Sequence, residues 1–319
     1  MPITLKTKFS FQFYEQITKK IQNDELVILP TETVYGLAGN GLSLKAIKSI
    51  YKIKNRPLKK KLILHCSSLK MVEKYFELNK DNLIIAKKYW PGPLTLILKK
   101  KNKSIPHILT QRGYCAVRIP QNKFLLNVIK KVNKPLVMPS ANKFKQLSPV
   151  SAKMAHQNFK TSDLTIIDGG KCKVGIESTM LKILNQKIEV IRYGLIDVFD
   201  ILKELPHFKI KQTINEYFPG TSNKHYSPIK PLYINQKLVK KGSAFIGFGN
   251  AKKNEFKNLS LKKNLKKEII KKIYLLGAKK IDYIEAVSFK KFKIVKRIKN
   301  KLNIFIAYYL NDVRLIDNL

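Results

Sequence analysis

The chain is short of acid. Against 63 lysines and arginines it sets 21 aspartates and glutamates, a formal net charge of +42 over 319 residues. Such a field draws polyanions (RNA, acidic lipid, ATP) and speeds their encounter at low salt. It does not by itself describe a nucleic-acid interface. The lysines run along nearly every expected helix and tail, as at 59–61, 99–101, 262–263 and 266–267, and do not gather in one patch with interleaved aromatics. Chain-wide enrichment accounts for them more simply, and the RNA binding it implies is weak and nonspecific. Cysteine is scarce too. Cys66, Cys115 and Cys172 are widely spaced and odd in number, which excludes a zinc ribbon or a disulfide frame and suits a reducing compartment. The longest late apolar run, Ile304 to Leu310, is far too short to span a bilayer, and Met1 to Lys20 has no apolar core before a small-residue cleavage site. The expectation is a soluble, cytoplasmic protein with no membrane partner. There is no Gly-x-x-x-x-Gly-Lys-Ser/Thr loop, no His/Cys cluster at metal-ligand spacing and no nucleophile elbow. A conventional P-loop is thereby excluded, and hydrolysis through a covalent intermediate has no support.

What is present is a core. The hydrophobic share of 44% and aromatic share of 10% are those of a folded protein. Strand-like runs at 26–29, 62–64, 94–98, 116–119, 136–138, 165–167, 178–183 and 189–191 alternate with helical patterns at 44–53, 71–76, 83–90, 124–132 and 151–159. Pro91-Gly92-Pro93 stops the helix before it. This alternation predicts an α/β domain built on a mixed sheet over residues 1–205. Periodicity fades over 206–228, which reads as an interdomain linker. Residues 229–319 read as a smaller α/β unit, with a strand at 244–249 and helices over 261–276 and 288–302.

Polar clusters punctuate the strand ends, where α/β folds hold ligands. Pro30-Thr31-Glu32-Thr33-Val34-Tyr35-Gly36-Leu37 follows the first apolar run and holds two hydroxyls, a carboxylate and a phenol. Lys54-Asn55-Arg56-Pro57 places two cations at a helix end. Arg offers a bidentate fork and Lys a compact charge, a pairing suited to anions, though a solvated basic helix end would look the same. Pro139-Ser140-Ala141-Asn142 carries a hydroxyl and an amide that bond phosphate or ribose oxygens but also serve plain turns. Ser148-Pro149 reads as a helix N-cap with a first-turn proline, leaving N–H groups for an anion. Gly175-Ile176-Glu177-Ser178-Thr179 is a further polar turn, and Arg192 ends the strand after it. Together the inventory suits binding a phosphorylated ligand and positioning its reaction.

In order along the chain, these clusters resemble the L-threonylcarbamoyladenylate synthase family, the YrdC-like proteins, in its two-domain form. The resemblance also rests on Trp90-Pro91-Gly92-Pro93-Leu94-Thr95, Val117-Arg118-Ile119-Pro120, Asp168-Gly169-Gly170 and the linker stretch Lys224-His225-Tyr226-Ser227-Pro228, and it covers about residues 10–230. It implies a twisted mixed-sheet YrdC-like domain, a linker and a smaller α/β domain. It implies that ATP, L-threonine and bicarbonate give threonylcarbamoyl-AMP and pyrophosphate, the product passing to a tRNA threonylcarbamoyl transferase complex. By that resemblance Lys54, Arg56, Ser140, Asn142, Ser148, Arg192 and Tyr226 hold ATP, with Lys54 and Arg56 the catalytic pair. Thr31, His65, Arg118 and Ser178 hold threonine, Arg118 facing its carboxylate. Mg2+ rides on the phosphates with no dedicated protein ligands. The chain departs from the family pattern at Lys60-Lys61, at Tyr193 and at Thr221-Ser222-Asn223. A non-catalytic RNA-binding or ribosome-associated module on the same fold is the alternative, drawing on the +42 charge.

Overall fold

The computed structural model describes residues 4–5, 11–101, 103–144, 146–159, 162–212, 217–218, 270–271, 274, 278–288, 302–310 and 313–318. The chain divides into two compact units, Met1–His225 and Tyr226–Leu319. The first is an eleven-stranded sheet with seven α-helices among the described residues. Its strands are β1 (Thr4–Leu5), β2 (Val27–Leu29), β3 (Gly36–Asn40), β4 (Ile63–His65), β5 (Leu94–Lys99), β6 (Tyr114–Arg118), β7 (Leu136–Val137), β8 (Thr165–Ile167), β9 (Thr179–Leu184), β10 (Lys187–Arg192) and β11 (Lys209–Gln212). Its helices are α1 (Phe11–Gln22), α2 (Leu44–Lys54), α3 (Leu69–Tyr75), α4 (Lys80–Tyr89), α5 (Lys123–Val132), α6 (Ala152–Asn158) and α7 (Val198–Glu204). The strand order is β1-β8-β2-β3-β7-β4-β6-β5-β9-β10-β11. Pairs β2·β8, β4·β6 and β5·β9 are parallel, while β2·β3, β3·β7, β4·β7 and β5·β6 are antiparallel, so the sheet is mixed as expected.

Local chemistry explains the elements that carry the site. In α2 the buried residues Ala46, Ile47, Ile50, Tyr51 and Lys54 form one stripe at helical spacing. Ser43 caps its N-terminus by accepting from Ala46 N at 3.2 Å, and Asn55 ends it in the left-handed region at φ 50°. In α5 the stripe Phe124, Leu125, Val128, Ile129 and Val132 packs with Ile17 and Ile21 of α1 onto Val27, Leu29, Ala38 and Leu136 of the sheet. Gly36 begins β3 because a Cβ there would lie 2.5 Å from Met138 Cγ.

Several expectations are corrected. The polar turn expected over 30–37 ends earlier, because Gly36 and Leu37 already belong to the interior strand β3, where Gly36 and Gly39 serve close packing. The helix N-cap is Ser151, which accepts from Met154 N at 3.3 Å; Ser148 lies outside that helix and bonds elsewhere. Helices α1 and α7 were not foreseen. Strand β11 lies within the expected linker, pairing with β10 from Lys187↔Lys209 to Val190↔Gln212. A strand with the single apolar residue Ile210 between two lysines gives too little alternation to read. Tyr217 O accepts from Lys61 N at 2.6 Å, and Phe218, 3% exposed, packs with Ile63, Ile97, Ala116, Met180 and Ile191. The sheet unit thus continues past residue 205.

In the second unit, β12 (Ala278–Ser288), β13 (Leu302–Leu310) and β14 (Val313–Asn318) form an antiparallel sheet in that order. None of these three strands is among those expected from the sequence, and the period of β12 is broken by register shifts at Ala278/Lys280 and Ile281/Tyr283. Residues 270, 271 and 274 are helical, inside the expected 261–276 helix. The expected strand at 244–249, the interior of the expected 288–302 helix, and residues 219–228 with Tyr226 lie outside the described residues.

Candidate active site

A single cleft is lined by Thr31, Thr33, Val34 and Gly36 from the first polar turn and strand, Arg56 after α2, and Ile63 and His65 of β4. Arg118 of β6, Met138 to Ser140 after β7, and Glu177, Ser178 and Arg192 complete it. Ile63 and His65, two apart on a strand, point to the same face, and the register sets His65 beside Arg118. Seven of the expected site residues therefore meet here: Thr31, Arg56, His65, Arg118, Ser140, Ser178 and Arg192. Lys54, Asn142 and Ser148 lie just behind the wall.

Arg118, 4% exposed, is held from three directions. Its Nε donates to Gly92 O at 3.0 Å, its Nη1 to Thr33 Oγ1 at 2.9 Å, and its Nη2 to Glu32 Oε1 in a buried ion pair. Three of five guanidinium donors are thus committed, leaving two for a ligand. Removing one partner of a buried pair costs about 3–5 kcal/mol, so Glu32 and Arg118 stand or fall together. The Thr31 hydroxyl serves the turn itself. It accepts from Thr33 N at 2.9 Å and Val34 N at 3.0 Å, donates to Val34 O at 2.7 Å, and lies 2.8 Å from Thr33 Oγ1. His65 is 3% exposed with Nδ1 unpartnered, and burial followed by the Arg118 charge holds its pKa well below the histidine range. The site histidine is neutral.

On the opposite side, Arg192 Nε donates to Ser178 O at 3.0 Å and its Nη2 to Ser178 Oγ at 2.9 Å, while Ser178 Oγ is 2.6 Å from Thr95 Oγ1. Arg56 donates from Nε to Lys60 O and from Nη2 to Lys61 O, both at 3.0 Å, and lies 5.6 Å from the Phe144 ring centroid. Burial lowers both guanidinium pKa values to about 10, so both remain charged at neutral pH. Lys54 is 1% exposed, which rules out the solvated helix end. Its Nζ donates to Ser140 O at 2.5 Å and to Asn142 O, and burial pushes its pKa well down. It pins the Ser140–Asn142 loop. Asn142 Nδ2 donates to Lys143 O and Gln146 O, leaving Oδ1 buried without a partner. Ser148 Oγ donates to Glu177 Oε1 at 2.5 Å, and burial raises the Glu177 pKa against the pull of Arg192.

Sequence reasoning gave no role to Glu32, Thr33, Thr95 or Glu177, although the motifs contain all four and also Arg118 and Ser178, which Thr33 and Thr95 meet. The signal lay in tertiary pairing. Tyr35 is another such case. Its buried phenol donates to Gly170 O at 2.6 Å and accepts from Gly169 N at 3.1 Å, tying the two motifs together.

The sequence profile of the Sua5/YciO/YrdC family, described as telomere recombination, matches residues 19–194. The chain belongs to this family. Threonylcarbamoyl-AMP synthase of Pyrococcus abyssi is 34% identical over 222 residues, covering 67% of this chain and 65% of that protein. The Bacillus subtilis threonylcarbamoyl-AMP synthase is 30% identical over 226 residues, covering 69% of this chain and 65% of that protein. The chain therefore spans just under two thirds of the length of these two relatives. The crystal structure of P. abyssi Sua5 complexed with L-threonine aligns with a TM-score of 0.66 at 32% identity, covering 72% of this chain and 69% of that one. Escherichia coli YciO, at 20% identity and a TM-score of 0.56, shares the fold. The match to the Sua5/YciO/YrdC profile covers strands β2 to β10, and so every cleft residue named above.

Proposed function

We propose that this Sua5/YciO/YrdC chain is an L-threonylcarbamoyladenylate synthase, making threonylcarbamoyl-AMP and pyrophosphate from ATP, L-threonine and bicarbonate. The observation that carries the reading is the meeting, in one cleft, of His65, Arg118 and Ser178 with Arg56, Ser140 and Arg192. Two anions have to be brought together for this reaction. The carboxylate of a threonine carbamate attacks the α-phosphate, pyrophosphate leaves, and the protein orients both partners while offsetting the growing charge. A cation about 4 Å from a phosphate oxygen contributes on the order of 4 kcal/mol at a surface-like dielectric, before desolvation.

Arg56 and Arg192 face the phosphates with the N–H groups left over by the Lys60 and Lys61 carbonyls and by the Ser178 carbonyl and hydroxyl. Lys54 acts through the loop it pins, presenting Ser140. Asn142 and Ser148 support the wall, Ser148 by holding Glu177. On the amino-acid side Arg118 receives the carboxylate, while His65 and Ser178 offer neutral polar groups and Thr31 shapes the turn. Tyr226 belongs to the ATP side in this reading. In this reading Mg2+ arrives on the nucleotide, with no dedicated protein ligands. When bound, the ion neutralises phosphate charge. The product passes to a tRNA threonylcarbamoyl transferase.

Purified protein supplied with ATP, L-threonine and bicarbonate is expected to release pyrophosphate only when all three are present. Lys54→Ala is expected to lower that release at least a hundredfold, while Lys48→Ala, exposed on the same helix, leaves it unchanged. Release that ignores threonine, or the same loss in both variants, would overturn the assignment.

A further inference from the structure

A free amino acid binds as a zwitterion, and recognising it calls for an anionic group as well as a cationic one. The residues placed on the threonine side, Thr31, His65, Arg118 and Ser178, include one cation and no anion. Glu32 stands directly behind them. Its Oε1 accepts from Arg118 Nη2, and the same guanidinium donates through Nη1 to Thr33 Oγ1, which lies 2.8 Å from Thr31 Oγ1. Glu32 is 6% exposed, and its Oε2 has no hydrogen-bond partner. The other carboxylate near the cleft, Glu177, is engaged by Ser148 and feels Arg192 and Lys54, on the nucleotide side.

We propose that Glu32 determines specificity for a zwitterionic amino acid over an anion of the same shape, by cancelling the charge of Arg118 within the amino-acid half of the cleft. The inference rests on the reading of the cleft as an amino-acid and ATP site. Arg118 alone would be a buried cation that welcomes any small anion, bicarbonate and phosphate included. Paired with Glu32, it presents directional N–H donors in a half-site of zero net charge, where a net-neutral ligand enters without leaving an unpaired charge behind. The nucleotide half, with Arg56, Arg192 and Lys54 against Glu177, keeps its excess positive charge for the polyphosphate. The cleft thereby sorts its two ligands by net charge.

The test compares L-threonine with 2,3-dihydroxybutanoate of matching configuration, in which a hydroxyl replaces the ammonium and the molecule carries a net charge of −1. Both are titrated calorimetrically into the full chain, wild type and Glu32→Gln, with a non-hydrolysable ATP analogue titrated separately. Wild type is expected to prefer threonine at least tenfold. Glu32→Gln is expected to shrink that preference at least tenfold, with affinity for the ATP analogue within twofold of wild type. A merely structural role would weaken both compounds alike and leave the ratio where it was. An unchanged ratio in the variant overturns the proposal. So does a wild type that binds the hydroxy acid as tightly as threonine, a result that needs no folded variant. A wild type that binds neither compound and releases no pyrophosphate overturns the reading of the cleft itself, and is distinct from both.

Discussion

Lys54 occupies a place that an apolar side chain would ordinarily fill. It follows Ile50 by four residues and Tyr51 by three, and so continues the buried stripe of α2. The cation pair at 54 and 56 was legible from the motif, but its burial was legible only from the stripe, which the sequence reading ended at residue 53. His65 shows the same split. Its place at a strand end was readable, whereas its neutral state depends on burial and on an arginine 53 positions away (118 − 65) brought beside it by β-pairing. That state makes stability depend on pH with a definite sign. The folded pKa lies below the unfolded value of about 6.5, so below that pH the unfolded chain takes up a proton that the folded one refuses. Stability contributed by this residue is complete above about pH 6.5 and is lost as pH falls, by up to about 1.4 kcal/mol per unit. Urea denaturation from pH 7 to 5 is expected to show a shallower decline for His65→Gln than for wild type. Parallel declines would mean that His65 does not contribute to it.

At the scale of elements, the β9–β10 hairpin holds the Ser178–Arg192 pair, and Gly194 is what lets the chain leave β10 so close to it. A Cβ on Gly194 would lie 2.3 Å from Thr179 N and 2.5 Å from Glu177 O, both backbone atoms with nowhere to go. Gly194→Ala is expected to cost about 1–3 kcal/mol of stability by overpacking. It should also weaken threonine binding, since Ser178 sits between the two displaced atoms. A variant as stable as wild type with unchanged threonine titration would contradict this. Most strands of the first unit were readable, because runs such as Leu94–Leu98 and Ala116–Ile119 are apolar and bounded by proline or polar turns. Strands β1, β3 and β11 were not: the first is two residues long, the second holds two close-packed glycines among five residues, the third has a single apolar residue, and all form through their neighbours' pairing.

For the whole molecule, the +42 charge and the cleft describe different things. The cleft's cations are buried or half-buried and partnered one by one, whereas the remaining lysines are spread along the chain. RNA binding is accordingly expected to be nonspecific, with Kd no tighter than about 1 μM at physiological salt and a steep salt slope. Lys54→Ala should leave it unaltered; nanomolar binding at that salt, or its loss in that variant, would reinstate a dedicated RNA surface. The strand order has a further consequence, for how the molecule comes into being. The Glu32–Arg118 pair joins β6 to the turn after β2, but Arg192 ends β10, 74 residues later (192 − 118). A nascent chain can form the Glu32–Arg118 pair before Ser140, Ser178 and Arg192 have been synthesised. Until β9 and β10 emerge, β5 is without its parallel neighbour, and the half-made sheet ends in an open edge. Assembly of the cleft is therefore directional, and the last cation to arrive is the one that completes it.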